Sequence, residues 1–282
     1  MLDFNELSVT SYVACAIFFC VWFISFASII ASFHSLLKIR QRNNQIVILL
    51  TLNFSEIVFS ITIPLRLIPY FTDDECVTCQ YIGRIETWNG FCYYGSFFLI
   101  TIDRFLCLVL SIKYNIIVTP YRTKIAALVM VITCLMCSLP FYFLSWSQSQ
   151  FVVNSVIYPT LDSLFVVTAT SVYVTILFKL HTNRISDTDE RRRGSFDWSA
   201  FRRRYRVPML IIITFVCFIQ IPDLYIILSV YLRTENVSKE KNFITSLLIY
   251  SCWFIGFLCD SIIYIRLVSK RQRRTNTIMT ST

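Results

Sequence analysis

Seven stretches of this chain, each about 20 to 30 residues long, are nearly free of charge: Tyr12 to Leu37, Ile46 to Phe71, about Cys79 to Ile112, Ile125 to Trp146, Phe151 to Leu180, Val207 to Leu232 and Phe243 to Val268. As helices rising about 1.5 Å per residue, each is long enough to cross roughly 30 Å of hydrocarbon. With 56% hydrophobic and only 15% charged residues, the 282-residue chain is too apolar for a soluble domain. The expected fold is therefore an all-α membrane protein, a bundle of seven transmembrane helices. No linker between the runs exceeds a few tens of residues, so residues 1–282 are expected to form a single domain. The first run follows an acidic start, Met1 to Glu6, without a basic flank, and it is longer than a signal-peptide core, so it is expected to be a retained helix.

Loop charge sets the orientation. With residues 1–10 outside, the loops facing the cytoplasm hold 21 of the 26 Lys and Arg residues, as the positive-inside rule requires. The net charge of +9 is then a topology and anionic-lipid signal, since the basic clusters flank spanning helices, and no nucleic-acid partner is implied. Under this topology residues 181–205 form the third inner loop and 269–282 a cytoplasmic tail, and the protein is expected at the plasma membrane. Asn236-Val-Ser238 falls outside as a glycosylation acceptor. Arg192-Arg-Gly-Ser195 falls inside and matches a basophilic kinase site at Ser195.

Ionisable residues inside spanning runs are costly unless paired or facing a polar cavity, which makes each a candidate functional position. The most prominent is Asp103-Arg104, where the third run meets polar sequence; the plainer alternative is an arginine snorkelling to the headgroups. Mid-helix Pro222 frees a carbonyl and marks a hinge in the sixth run. Eleven cysteines lie mostly inside the helices, and only Cys76-Val-Thr-Cys79 has a deliberate spacing, with either a local bridge or two free thiols open to it. The two histidines lie far apart, without a Gly-x-Ser-x-Gly or His-Glu-x-x-His motif, so neither an enzyme nor a metal site is expected. Five glycines and no visible repeat argue against a transporter.

Taken together, these features resemble the rhodopsin-like G-protein-coupled receptors over nearly the whole chain. Asp103-Arg104-Phe105 resembles that family's Asp-Arg-Tyr, and Cys79 stands 25 residues before Arg104, where the family places the cysteine topping its third helix. Leu52-Asn-Phe-Ser-Glu56 resembles Leu-Ala-x-Ala-Asp. Asp260-Ser-Ile-Ile-Tyr264 resembles Asn-Pro-x-x-Tyr, and Ser269 to Arg274 resembles the short amphipathic eighth helix. Tyr173 stands at the inward tyrosine of the fifth helix. The departures are Ala27-Ser28 for Gly-Asn, Met130 for tryptophan, Phe165 for proline and Gln220 for the tryptophan two residues before Pro222. The loop Ser147 to Tyr158 has no cysteine to bridge to Cys79.

The resemblance implies a receptor that passes binding of a small molecule or short peptide to heterotrimeric G proteins, with arrestin as a further partner. Asp103, Arg104, Tyr173, Pro222 and Tyr264 would carry activation. Arg66, Glu86, Gln220, Asp223 and Tyr250 would line the ligand pocket, although Arg66 and Glu86 equally suit a simple ion pair with each other. Arg202 occupies the usual position of an acid that latches Arg104, which implies elevated basal signalling. Glu56, Asn89 and Asp260 fall where the family binds sodium, and two buried carboxylates must hold a cation or share a proton. No other cofactor is implied. The rival readings are a non-signalling scavenger receptor and, further off, a transporter.

Overall fold

The computed structural model of the chain describes residues 8–39, 44–67, 77–110, 113–143, 207, 209–222, 224–225 and 239–280, together with 156–157, 160–161, 163–165, 167–172, 174–175 and 178. The described residues contain no strand. Helix α1 spans Val9–Leu37, α2 Asn44–Leu65, α3 Val77–Leu110, α4 the single turn Tyr114–Ile117 and α5 Pro120–Ser138. Helix α6 covers Met209–Gln220 and α7 Lys239–Thr280. Among the described residues, four segments are long and apolar enough to cross a membrane: α1, α2, α5 and Glu240–Ser269 of α7. They match the first, second, fourth and seventh expected runs. The third run is a continuous 34-residue helix whose Arg84, Glu86, Asn89, Asp103 and Arg104 dilute its hydropathy.

Helix α1 packs along α7 and beside α2; α2 lies against α3, α5 and α7, and α6 lies against α7. The outward faces are apolar, with Phe23 66%, Leu128 60% and Phe143 88% exposed. Such faces suit hydrocarbon. The interior is aromatic: Phe97, Phe165 and Phe215 are fully buried, and the Phe97 and Phe215 rings lie 4.2 Å apart. Tyr93 joins this cluster to Phe59 at 5.5 Å and Phe257 at 5.9 Å.

Local chemistry sets the helix ends. The Ser8 hydroxyl caps α1 by accepting from the Ser11 N–H, and Thr119 caps α5 ahead of Pro120, whose missing N–H is harmless in a first turn. In α2, Pro64 cannot donate to the carbonyl of Ser60 four residues earlier. The Trp22 indole of α1 supplies the missing donor at 2.8 Å. Trp22→Phe, which keeps an aromatic ring but removes this N–H, is expected to destabilise the α1–α2 contact by about 1 kcal/mol. Thermal unfolding in detergent checks it, with Trp22→Leu as the comparison for lost packing.

Two glycines permit close helix approach. A Cβ on Gly95 would lie 2.6 Å from Met130 Sδ, so α3 accepts the α5 methionine only because Gly95 is bare. A Cβ on Gly256 would lie 3.0 Å from Phe218 Cβ, in the five-residue π turn Val216–Gln220 of α6. That turn ends just before Pro222, and the Ile221 N–H donates to the Val216 carbonyl, five residues back. A proline at 222 denies the Phe218 carbonyl its helical donor, so the wide turn sits where the helix is already interrupted.

The expected separate eighth helix is corrected. Residues 269–280 continue α7, which runs unbroken for 42 residues. Ser261 stands where the resembling motif carries proline, and from Asp260 to Thr280 there is neither Pro nor Gly to end the helix.

Candidate functional site

The polar residues of the interior fall into three groups along the bundle. At one end, near the last turns of α3, Asp103 and Arg104 are both buried, and the Asp103 Oδ2 pairs with the Arg104 guanidinium. The Tyr114 hydroxyl of α4 donates to the other carboxylate oxygen, Oδ1. Asn44, the first residue of α2, donates to the Tyr114 oxygen at 3.2 Å and to the Val118 carbonyl at 2.7 Å. Burial, together with the bond to Asp103, pushes the Tyr114 phenol up to about 12, so it remains a proton donor through the physiological range. A small cavity beside the pair is walled by Ile48, Leu49, Ile100 and Ile211. This places α6 next to Arg104.

In the middle, Glu56 and Asp260 are almost wholly buried and close enough to interact electrostatically. Tyr264 donates to Glu56 Oε1 at 3.3 Å, and Asn53 donates to Glu56 Oε2 at 3.2 Å and to the Ser32 hydroxyl at 2.8 Å. Thr214 of α6 donates to Asp260 Oδ1. This network therefore joins α1, α2, α6 and α7. Asn89 of α3 lies beside it but donates to the Ser55 carbonyl at 2.9 Å. Tyr93 and Phe257 fill the adjoining space with rings.

At the other end, Arg66 Nη1 lies 3.1 Å from Glu86 Oε2, with the arginine side chain 28% exposed and the carboxylate 5%. The pair lines a small cavity of about 30 Å³, walled by Phe59, Tyr94, Trp253 and Phe257. Glu86 Oε1 is buried and has no hydrogen-bond partner among the described residues. Beyond this cavity α1 and α7 are fastened together by the Ser8 N–H and the Ser11 hydroxyl, which donate to Glu240 Oε1 at 3.0 and 2.6 Å.

The chain matches no protein-family model and no curated protein sequence. Among the expected pocket residues, Arg66 and Glu86 line the cavity. Gln220 is instead buried on the π turn, and the Tyr250 ring packs edge-on against Trp253, so neither is part of the described cavity wall. Tyr264, expected among the activation residues, joins the central acids, and Pro222 follows the π turn. Asp223, Tyr173, Ser195, Asn236 and Cys76, and the Cys79 side chain, lie outside the described residues. Among the described residues no group of three or more His, Cys, Asp or Glu is placed to hold a metal. Sequence reasoning missed Asn44, Tyr114, Thr214 and the Ser8–Ser11–Glu240 clamp.

Proposed function

We propose that the chain is a seven-helix receptor of the plasma membrane, divergent from the rhodopsin-like pattern, that passes occupancy of the Arg66–Glu86 cavity to a heterotrimeric G protein at the Asp103–Arg104 end. The observation that carries this reading is the buried Asp103–Arg104 pair, held by Tyr114 and Asn44 at the opposite end from an open cavity. A guanidinium so held is available only after a conformational change, and α6 is built to make one. It is interrupted at the π turn, it ties to the central acids through Thr214, and its Ile211 packs beside Arg104. A ligand favouring the arrangement with α6 displaced shifts the population by its differential affinity for the two states.

The test is nucleotide exchange on purified G proteins by the purified full chain, without added ligand and across several Gα classes. Exchange above the protein-free rate, lost in Arg104→Ala, is the expected result. A folded chain that accelerates no G protein would instead favour the scavenger reading.

A further inference from the structure

The seam between α3 and α5 gathers three sulfur atoms from two helices. Met130 and Cys134 stand one turn apart on α5, and the Cys134 thiol donates to the Met130 thioether at 3.5 Å. Across the seam, the Cys92 thiol of α3 is in hydrogen-bonding contact with Cys134. Gly95 lies three residues after Cys92, on the same face of α3, and forms the floor on which the sulfurs meet. A Cβ there would lie 2.6 Å from Met130 Sδ and 3.5 Å from Cys134 Sγ. Both thiols are buried and neither is in a disulfide. A cysteine that serves only as a small hydrophobe packs against hydrocarbon. These two are instead turned toward each other and toward a thioether.

Thiolates and a thioether are soft donors, and a set made only of them selects monovalent copper among the common metals. Zinc takes four ligands drawn from Cys, His and carboxylates, and no His, Asp or Glu joins Cys92 and Cys134 in such a group among the described residues. Magnesium and calcium require oxygen. A cuprous ion would take the place between the sulfurs that a thiol proton now occupies, and each bond to a thiolate releases one proton. Exchanging a single proton for a monovalent ion leaves the seam without net charge. A divalent ion exchanged for one proton would strand a positive charge among apolar neighbours, which is costly. The unbranched methionine side chain, lying over bare Gly95, can shift by a fraction of an ångström to complete the coordination.

We infer that Cys92, Met130 and Cys134 form an all-sulfur site for a cuprous ion, tying α3 to α5 within the bundle. The test is anaerobic titration of the purified, reduced full chain in nanodiscs with Cu(I), in competition with the chromophoric chelator bicinchoninate. With eleven cysteines in the chain, the bound position must be mapped as well as counted. Thiol alkylation followed by mass spectrometry does so, and copper is expected to protect Cys92 and Cys134 while leaving Cys137, which is exposed one turn further along α5, open to reagent. X-ray absorption at the copper edge should show sulfur neighbours only. Cys92→Ala and Cys134→Ala should each abolish the protected site, and Met130→Leu, which keeps the volume over Gly95, should weaken it by at least about tenfold. Cys137→Ala should leave it unchanged. If a cysteine variant fails to fold, protection in the parent chain and the Met130→Leu comparison still decide the matter. Copper that protects other cysteines in preference, or that binds the double Cys92→Ala, Cys134→Ala chain as tightly, would overturn the site. Affinity unaffected by Met130→Leu, or matched by zinc, would overturn the three-sulfur assignment.

Discussion

Asp103→Asn is expected to raise ligand-free nucleotide exchange severalfold, and Arg104→Ala to reduce it to the protein-free rate. At rest, Arg104 is held by a carboxylate that is itself oriented by the Tyr114 hydroxyl. Asparagine preserves size and still accepts from Tyr114, but it removes the charge that retains the guanidinium. Losing about 1–2 kcal/mol from the closed state multiplies the open population roughly 5- to 30-fold. The sequence places no second acid opposite Arg104, since Arg202 occupies that position by resemblance, so Asp103 is expected to bear most of the restraint. Tyr114→Phe should act in the same direction and more weakly, because it disorders the carboxylate without discharging it. Exchange assays on all four chains, normalised to folded protein, check the order. An Asp103→Asn chain no more active than the parent would show that the pair does not hold the closed state.

The second large effect concerns Glu56 and Asp260. Both are buried, and each is met by neutral donors from a neighbouring helix, Tyr264 and Thr214 respectively. Two such carboxylates tolerate each other only with a shared proton or a bound cation. With Tyr93 and Phe257 occupying the adjoining volume, the proton is the smaller demand. Losing it leaves two negative charges repelling across the α2–α7 contact, so basal exchange is expected to depend on outside pH more than on sodium. Sodium at fixed pH should change it little. Asp260→Asn removes the repulsion and should flatten the pH profile. Sodium dependence at fixed pH, abolished by Asp260→Asn, would assign a cation instead.

Much of this was legible in the sequence because it depends on one residue type at one depth. Long charge-free runs announced α1, α2, α5 and α7, and an acid and an arginine inside hydrophobic sequence announced Glu56 and Asp103-Arg104. What was not legible is pairing across the bundle. Nothing local distinguishes Thr214, which bonds to Asp260 46 residues away as well as to the Ile211 carbonyl of its own helix, from hydroxyls that only donate back to their own helix, as Thr133 does to Val129. Trp22 gains meaning only when Pro64, on another helix, leaves the Ser60 carbonyl open. The expected eighth helix failed for a local reason: resemblance of charge pattern does not supply a helix breaker where the chain has Ser261 and no glycine follows.

The clamp between the start of α1 and the start of α7 carries a consequence for biosynthesis. Ser8 and Glu240 are 232 residues apart, and Ser25 of α1 donates to the Phe254 carbonyl of α7 at 2.9 Å. Helix α1 thus finds its main partner only when α7 emerges. At about 5–20 residues per second, that wait is on the order of tens of seconds. Throughout it, Ser11 and Ser25 lack their α7 acceptors, Glu240 and the Phe254 carbonyl, and other helices passing through the insertion machinery can compete for them. A nascent chain arrested before Lys239 should therefore be bound by membrane chaperones and sensitive to quality-control proteolysis, and the completed chain should escape both.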